Sequence, residues 1–178
     1  AMMAELSLKG AGGRSADEIA SFFDRAGGSI ASQCGNNTYM WSAQVLADDA
    51  EEAMAIFADV VVRPTSGAEE LEIVRPGLIA RVKRTEEHWA SQMQRHFRRR
   101  FFEDSPYRLL PAGSQEVLEE LQREDVLAHH RQWIRAGSAV LSVYGSFDAE
   151  RMERQIRAGF AGMPAGEVGL PRADRRAV

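Results

Sequence analysis

Apolar positions recur along this chain at a spacing of three to four residues in most stretches and alternate in a few. Met2, Met3 and Leu6 share one face of a helix that runs to about residue 8, where Lys9-Gly10-Ala11-Gly12-Gly13 breaks it. Ser15-Ala16-Asp17-Glu18 has the form of a capping box: the serine accepts a backbone N–H and the glutamate reaches back. Ile19, Phe22, Phe23 and Ala26 follow at helical spacing, and Gly27-Gly28 closes that helix. Two strands are predicted next. Residues 29–34 are small and weakly alternating, whereas residues 38–46 alternate clearly, with Tyr39, Trp41, Ala43 and Val45 on one face. Gly35-Asn36-Asn37 between them predicts a tight hairpin, because these residues tolerate positive φ.

Asp48 or Asp49 can cap the next helix, which carries Ala53, Ile56, Phe57, Val60 and Val61 on its apolar face and stops at Arg63-Pro64. Ser66 with Glu69 predicts another capping box. It opens a long helix to about Phe102, with Leu71, Val74, Leu78, Val82, Met93, Phe97 and Phe101 along it. Pro76 lies inside this pattern, and its missing N–H predicts a kink or a boundary. Asp104-Ser105-Pro106-Tyr107 reads as a turn, and Ser114 caps a short helix through Leu121. A helix near 124–135 carries Val126, Leu127, His130, Trp133 and Ile134 and ends at Gly137. Residues 139–144 form a nearly continuous apolar run, the pattern of a buried strand. A last amphipathic helix covers 149–161, with Met152, Ile156 and Phe160. The expected architecture is therefore α+β: an antiparallel or mixed sheet with helices packed on one face. It occupies residues 1–162, and 163–178 reads as a linker or tail rich in Gly, Pro and Arg.

Composition narrows the function. A chain of 178 residues can bury one sizeable core. The formal net charge of −4 gives the chain as a whole no electrostatic pull toward nucleic acid. No apolar run has the length of a membrane span, and no leader pattern is visible. The first residues read as the middle of a helix, so the compartment stays open between cytoplasm and periplasm. Cys34 is the only cysteine, which excludes an intrachain disulfide and reads as a structural thiol.

The candidate reactive residues are sparse. His88, His96, His129 and His130 are the only histidines. His88 and His96 lie eight residues apart, about 12 Å of rise on one straight helix, too far for a shared metal. His129 and His130 are adjacent and point in different directions on a helix, so surface or hydrogen-bonded roles are favoured. The basic run from Arg95 to Arg100 reads mainly as a solvated helix face with Phe97 and Phe101 tucked under it; its functional reading is phosphate or acidic-peptide binding, and contact with a partner is an intermediate one. Gly10-Ala11-Gly12-Gly13 lacks the Lys-Ser/Thr of a phosphate loop. Ser105 is not in a G-x-S-x-G context, so a serine hydrolase is discarded.

The order of these pieces resembles the pitrilysin/insulinase family of zinc metallopeptidases, which includes the mitochondrial processing peptidases. The matching stretches are Leu8-Lys9-Gly10 with Arg14 to Ile19, Gly27-Gly28-Ser29, Ala53 to Pro64 and Glu69-Glu70-Leu71-Glu72. Ser105-Pro106-Tyr107 with Gly113, Leu118 to Asp125 and Val140 to Asp148 complete the set. Together they cover roughly residues 1–165. Active members carry H-x-x-E-H on the helix before the Lys-Gly break: two histidines bind zinc and the glutamate is the general base. Counted back from Lys9, those places hold Ala1, Met2, Met3, Ala4 and Glu5. The third ligand of the family, a glutamate in the long helix, falls in Leu78-Ile79-Ala80-Arg81-Val82, where Arg81 would oppose a dication.

The resemblance thus implies a lobe with no catalytic residue of its own, Ala1, Ala4 and Glu5 being the degenerate motif positions. No zinc is expected in this chain; it is expected in a partner lobe or subunit. Many family members pair an active with a silent lobe around a chamber that holds an unfolded peptide. The implied partners are a catalytic lobe and a peptide substrate, with Trp41, Arg98, Arg99 and Tyr107 as candidate interface or peptide-binding residues. Strands that usually precede the motif helix, and a second repeat after residue 178, are expected outside this stretch. An unpaired sheet edge would favour a homodimer of the fragment. Two other readings are an active zinc endopeptidase with displaced ligands, Glu5 and some histidines, and a purely structural peptidase-like core subunit.

Overall fold

Helix α1 (Met2–Ser7) has six residues, too few to be stable alone, yet the fold is arranged around it. Leu6 and Ser7 are fully buried, and Met2, Met3 and Ala4 nearly so. The computed structural model describes residues 1–102 and 105–169. After α1 the chain makes a miniature antiparallel pair, β1 (Gly10–Ala11) and β2 (Arg14–Ser15), and enters α2 (Ala16–Arg25). The expected capping box is present: Glu18 N–H donates to Ser15 Oγ, and Ser15 N–H donates to Glu18 Oε2 at 2.8 Å. Gly27, at φ +58°, ends α2 in the left-handed conformation that glycine adopts without strain.

Strands β3 (Ser29–Cys34) and β4 (Tyr39–Gln44) form an antiparallel hairpin in which Cys34 faces Tyr39 and Ser32 faces Trp41. Ile30, Ser32, Tyr39 and Trp41 are half-buried on one face, and Ala31, Gln33, Met40 and Ser42 are exposed on the other. The turn is closed by Gly35 N–H donating to Thr38 O at 2.8 Å. Neither Gly35 nor the two asparagines adopts positive φ. The loop has four residues, not two, so the primed turn geometry is not required.

Helix α3 (Ala50–Val62) follows, then α4 (Ala68–Glu87), α5 (Trp89–Phe101), α6 (Gln115–Glu120), α7 (Arg123–Trp133) and α8 (Ala149–Phe160). Two apolar clusters hold these together. One joins Met2, Met3 and Leu6 with Phe57, Val61, Leu71, Val74, Leu78, Leu118, Val126 and Ile134. The other joins Ile19, Phe22 and Phe23 with Ala53, Ile56 and Val60. The helix-rich α+β fold with small antiparallel sheets is the architecture expected.

Several local expectations are corrected. Asp49 stands at the N-terminus of α3 but makes no capping bond, because a 3-10 turn (Ala47–Asp49) leaves its backbone helical. Ser66 does not cap α4: it is buried at φ +44°, and Gly67 is the extended N-cap residue. The single long helix is two helices. His88 is extended (ψ 118°), and the break falls after the last buried residue of α4, Val82, in the polar stretch Lys83–His88. Helix α4 runs through Pro76 without a boundary there, held by Leu71, Val74 and Leu78 on either side. Arg75 adds a clamp: it pairs with Glu72 at 2.8 Å and donates to the last carbonyls of α6, Leu121 O at 2.9 Å among them. The apolar residues expected on the second half of the long helix are exposed, Met93 at 63% and Phe97 at 55%.

The expected buried strand at 139–144 is not formed. Val140 is 94% exposed and Tyr144 90% exposed, and neither described sheet offers the run a ladder. Residues 136–138 form a 3-10 turn, and Ala136 and Gly137 donate to Pro164 O and Gly166 O at 2.9 and 3.0 Å. The start of the tail thus folds back on the end of the domain. Asp104 of the expected turn, and the tail beyond residue 169, lie outside the described residues.

Asp59, nearly buried on α3, fixes the β1–β2 pair to the body. Its carboxylate takes Arg14 at 2.7 Å and Arg63 Nε at 3.0 Å. Gly12 lies against it at φ +60°, where a Cβ would sit 2.0 Å from Asp59 Oδ2. Gly12→Ala should therefore cost roughly 3 kcal/mol, from left-handed strain plus displacement of the buried Asp59 carboxylate from its partly exposed arginines, read as a lower urea midpoint with unchanged slope. An unchanged midpoint would contradict this packing.

Two histidines dock α7. His130 Nε2 donates to Val61 O at 2.8 Å, and His129 Nε2 shares a 2.7 Å hydrogen bond with Tyr39 Oη. Burial holds both imidazoles below the ordinary histidine range. A depressed folded value means the unfolded chain binds the proton more tightly. The contribution is therefore complete above the ordinary histidine pKa and is lost as pH falls from there toward the folded value. Stability against unfolding should drop as pH falls below the ordinary histidine range, and His130→Gln, which keeps a donor for Val61, should flatten that slope. A parallel slope in the variant would assign the loss to other groups.

Candidate functional site

The degenerate motif positions lie one helical turn apart, as the chemistry of a two-histidine motif requires. Glu5 N–H donates to Ala1 O at 3.2 Å, which places residues 1 and 5 on the same face of α1. Ala1 is half-buried, Ala4 is 1% exposed and Glu5 is half-buried. Helix α4 crosses against this face, and Arg81 Nη1 reaches Glu5 Oε1 at 2.8 Å. The two residues assigned from sequence to the second histidine and to the neighbourhood of the third ligand therefore meet in space, as an ion pair. The Arg81 side chain is 55% exposed and that of Glu5 29%.

Chemically this arrangement is closed. Alanine offers zinc no lone pair, and Ala4 cannot take a proton. The one carboxylate present is neutralised by a guanidinium, whose fixed charge would oppose a dication in the same space. The residues present do not fit the zinc that the motif would hold. Among the described residues, no group of three or more His, Cys, Asp or Glu could hold a metal ion. The histidines are also dispersed: His88 is at the α4–α5 break beside Trp89, His96 is exposed on α5, and His129 and His130 are engaged by Tyr39 and Val61.

The other candidates fall into two groups. Arg98 and Tyr107 are brought together with the tip of the β3–β4 hairpin. Arg98 donates to Asn36 Oδ1 at 2.8 Å and to Tyr107 O at 2.9 Å, and Asn37 bonds the Tyr107 hydroxyl. They tie α5 to the hairpin. Arg99, on the same helix, is exposed. Trp41 is elsewhere: half-buried, it donates its indole N–H to Ser7 Oγ at 2.9 Å and packs against both apolar clusters. Sequence reasoning did not find the Asn36–Arg98 tie or the Arg75 clamp. Both join segments more than 40 residues apart, and neither leaves a periodic signal.

The sequence pattern of the Insulinase (Peptidase family M16) family matches residues 2–110. The chain belongs to peptidase family M16. An uncharacterized zinc protease of Rickettsia bellii is 24% identical over 162 residues, which cover 91% of this chain and 39% of that protein. The M16 chain here thus spans about two fifths of the length of the curated relatives it matches. Among solved structures, the peptidase M16 inactive domain from Pseudomonas fluorescens superposes with a TM-score of 0.87 at 20% identity, over 97% of this chain and 42% of that one. Pitrilysin superposes with a TM-score of 0.81 at 18% identity, over 97% and 19%. These likenesses establish the fold of an M16 lobe.

The Glu5–Arg81 pair is open to a direct measurement. In a double-mutant cycle with Glu5→Gln and Arg81→Met, the coupling should be about 0.5 kcal/mol, because Arg81 is mostly exposed, and it should fall in about 1 M salt. A coupling of zero at low salt would show that the two side chains do not pair.

Proposed function

We propose that this chain is a non-catalytic M16 lobe that pairs with an H-x-x-E-H-bearing lobe and helps enclose a peptide substrate. The observation that carries the reading is the Glu5–Arg81 ion pair at 2.8 Å, which sets a fixed cation beside the place a metal ion would otherwise take. Support comes from the α1 backbone: the turn that would present two histidines is intact, while its side chains are Ala1 and Glu5. The scaffold of the site is present and its chemistry is not, which agrees with the inactive-domain name of the Pseudomonas fluorescens neighbour. Any proteolysis would then reside in the partner lobe, because function follows the site and not the fold. Arg99 and the exposed aromatic residues of α5 are the proposed surface toward that partner or peptide.

Two experiments test this. Chain purified without added metal should contain no stoichiometric zinc by elemental mass spectrometry, and should raise peptide cleavage by an H-x-x-E-H lobe on mixing. About one zinc per chain, or an unchanged rate with the partner, would overturn the reading. In the second, Ala1→His, Ala4→Glu, Glu5→His and Arg81→Glu together should create a site for about one zinc. Failure of the folded quadruple variant to bind zinc would place the motif elsewhere.

A further inference from the structure

Between Val82 and Leu118 no described residue is buried. Helix α5 lies within that stretch and contributes no residue to either apolar cluster. Its apolar residues Trp89, Met93, Phe97 and Phe101 recur at every fourth position, and each is more than half exposed, so the stripe points away from the body. The half-buried inner side holds Ala90, Ser91, Arg95 and Arg98. A surface helix is ordinarily held to its domain by its apolar stripe. In α5 that stripe holds nothing of the body, and the attachment that remains is polar.

Near its start, Arg95 pairs with Glu86 of α4, and Gln92 Nε2 donates to Glu86 O. One turn further on, Arg98 donates to Asn36 Oδ1 of the hairpin loop at 2.8 Å, to Tyr107 O at 2.9 Å and to Leu109 O at 3.4 Å. Asn36 Nδ2 donates to the same Leu109 O at 3.1 Å, so one guanidinium and one amide join three segments. The rings of Phe101, Phe102 and Tyr107 continue the contact into the 3-10 turn Pro106–Arg108, which has no buried residue of its own. At the other end, His88 is extended and separates α5 from α4. Water competes for each of these polar groups, so each bond contributes little, whereas α4 cannot leave without exposing Leu71, Val74, Leu78 and Val82. Few buried apolar contacts and exposed hydrogen bonds mark a segment that opens well below the global unfolding free energy. We propose that α5 is a strap latched to the hairpin by Arg98, which lifts about His88 while both apolar clusters stay intact.

Native-state hydrogen exchange read by mass spectrometry tests this on the chain as it stands. A lifted helix of 13 residues is marginal by itself, so its amides exchange each time it opens. Amides of α5 should be less protected than those of α3 and of α4 up to Val82. Arg98→Met keeps the helix tendency and removes the latch, so it should speed exchange in α5 about tenfold. Asn36→Ala removes one bond of the latch from outside the helix and should speed it about threefold. Neither variant should change α3 or α4, whose protection also shows that the variants are folded. Protection of α5 equal to that of α3 and α4 would overturn the proposal, because α5 would then open only with the whole chain. Exchange in α5 indifferent to both substitutions would overturn the latch, and equal acceleration in all three helices would show global destabilisation in its place. None of these outcomes depends on whether the lobe is catalytic.

Discussion

The buried hydroxyl of Ser7 is where the parts of this structure meet. It accepts the indole N–H of Trp41 at 2.9 Å and donates to Ala4 O at 2.7 Å, so a fully buried polar group is satisfied on both sides. That bond locks the β3–β4 hairpin over α1, while Leu6 and Met3 fix α1 against α4 and α7 through the larger cluster. A six-residue helix gains little from its own hydrogen bonds, so its position is a product of tertiary packing. Because α1 carries the motif positions and α4 carries Arg81, the same packing that makes the core also fixes the distance between the two halves of the site.

That dependence bears on the proposal that this lobe keeps the M16 scaffold without its metal chemistry. The packing residues of α1 are Met2, Met3, Ala4, Leu6 and Ser7, whereas Ala1 and Glu5 are half-buried, so substitutions at positions 1 and 5 leave most of the core volume intact. Arg81 sits one place before the buried Val82, on the flank of α4 that faces α1. A cation supplied by a side chain balances Glu5 without ligands, a second shell or a general base. The pair is mostly exposed on the arginine side, so it adds little to stability, and its importance is to the chemistry of the site.

What the sequence made legible was whatever local periodicity and capping chemistry encode. The Ser15–Glu18 capping box, the apolar face of α3 and the buried line Leu71, Val74, Leu78 and Val82 were all readable because each depends on residues within one element. The Ser66–Glu69 motif had the right letters but the wrong backbone, since Ser66 at φ +44° cannot be an extended N-cap. The α4–α5 break left no glycine or proline as a marker. It follows from the end of the buried line, a tertiary fact. For the site, the letters at 1, 4, 5 and 81 could be assigned singly, but the contact between Glu5 and Arg81 joins residues 76 positions apart and needed the fold.

The remaining disagreements share one cause and point the same way. The apolar residues of α5 and the run 139–144 were read as buried because a periodic or continuous apolar pattern is selected only where something covers it. In the structure, Phe101 is 68% exposed and Tyr144 90% exposed. Among the described residues no element covers either stretch. Hydration disfavours leaving aromatic side chains so exposed, against the smaller rotamer entropy that exposure keeps. The excess of apolar pattern over apolar burial falls in two separate places, one a helix face beside arginines and the other an uncharged run that joins neither described sheet, so the pattern located these residues without saying what covers them.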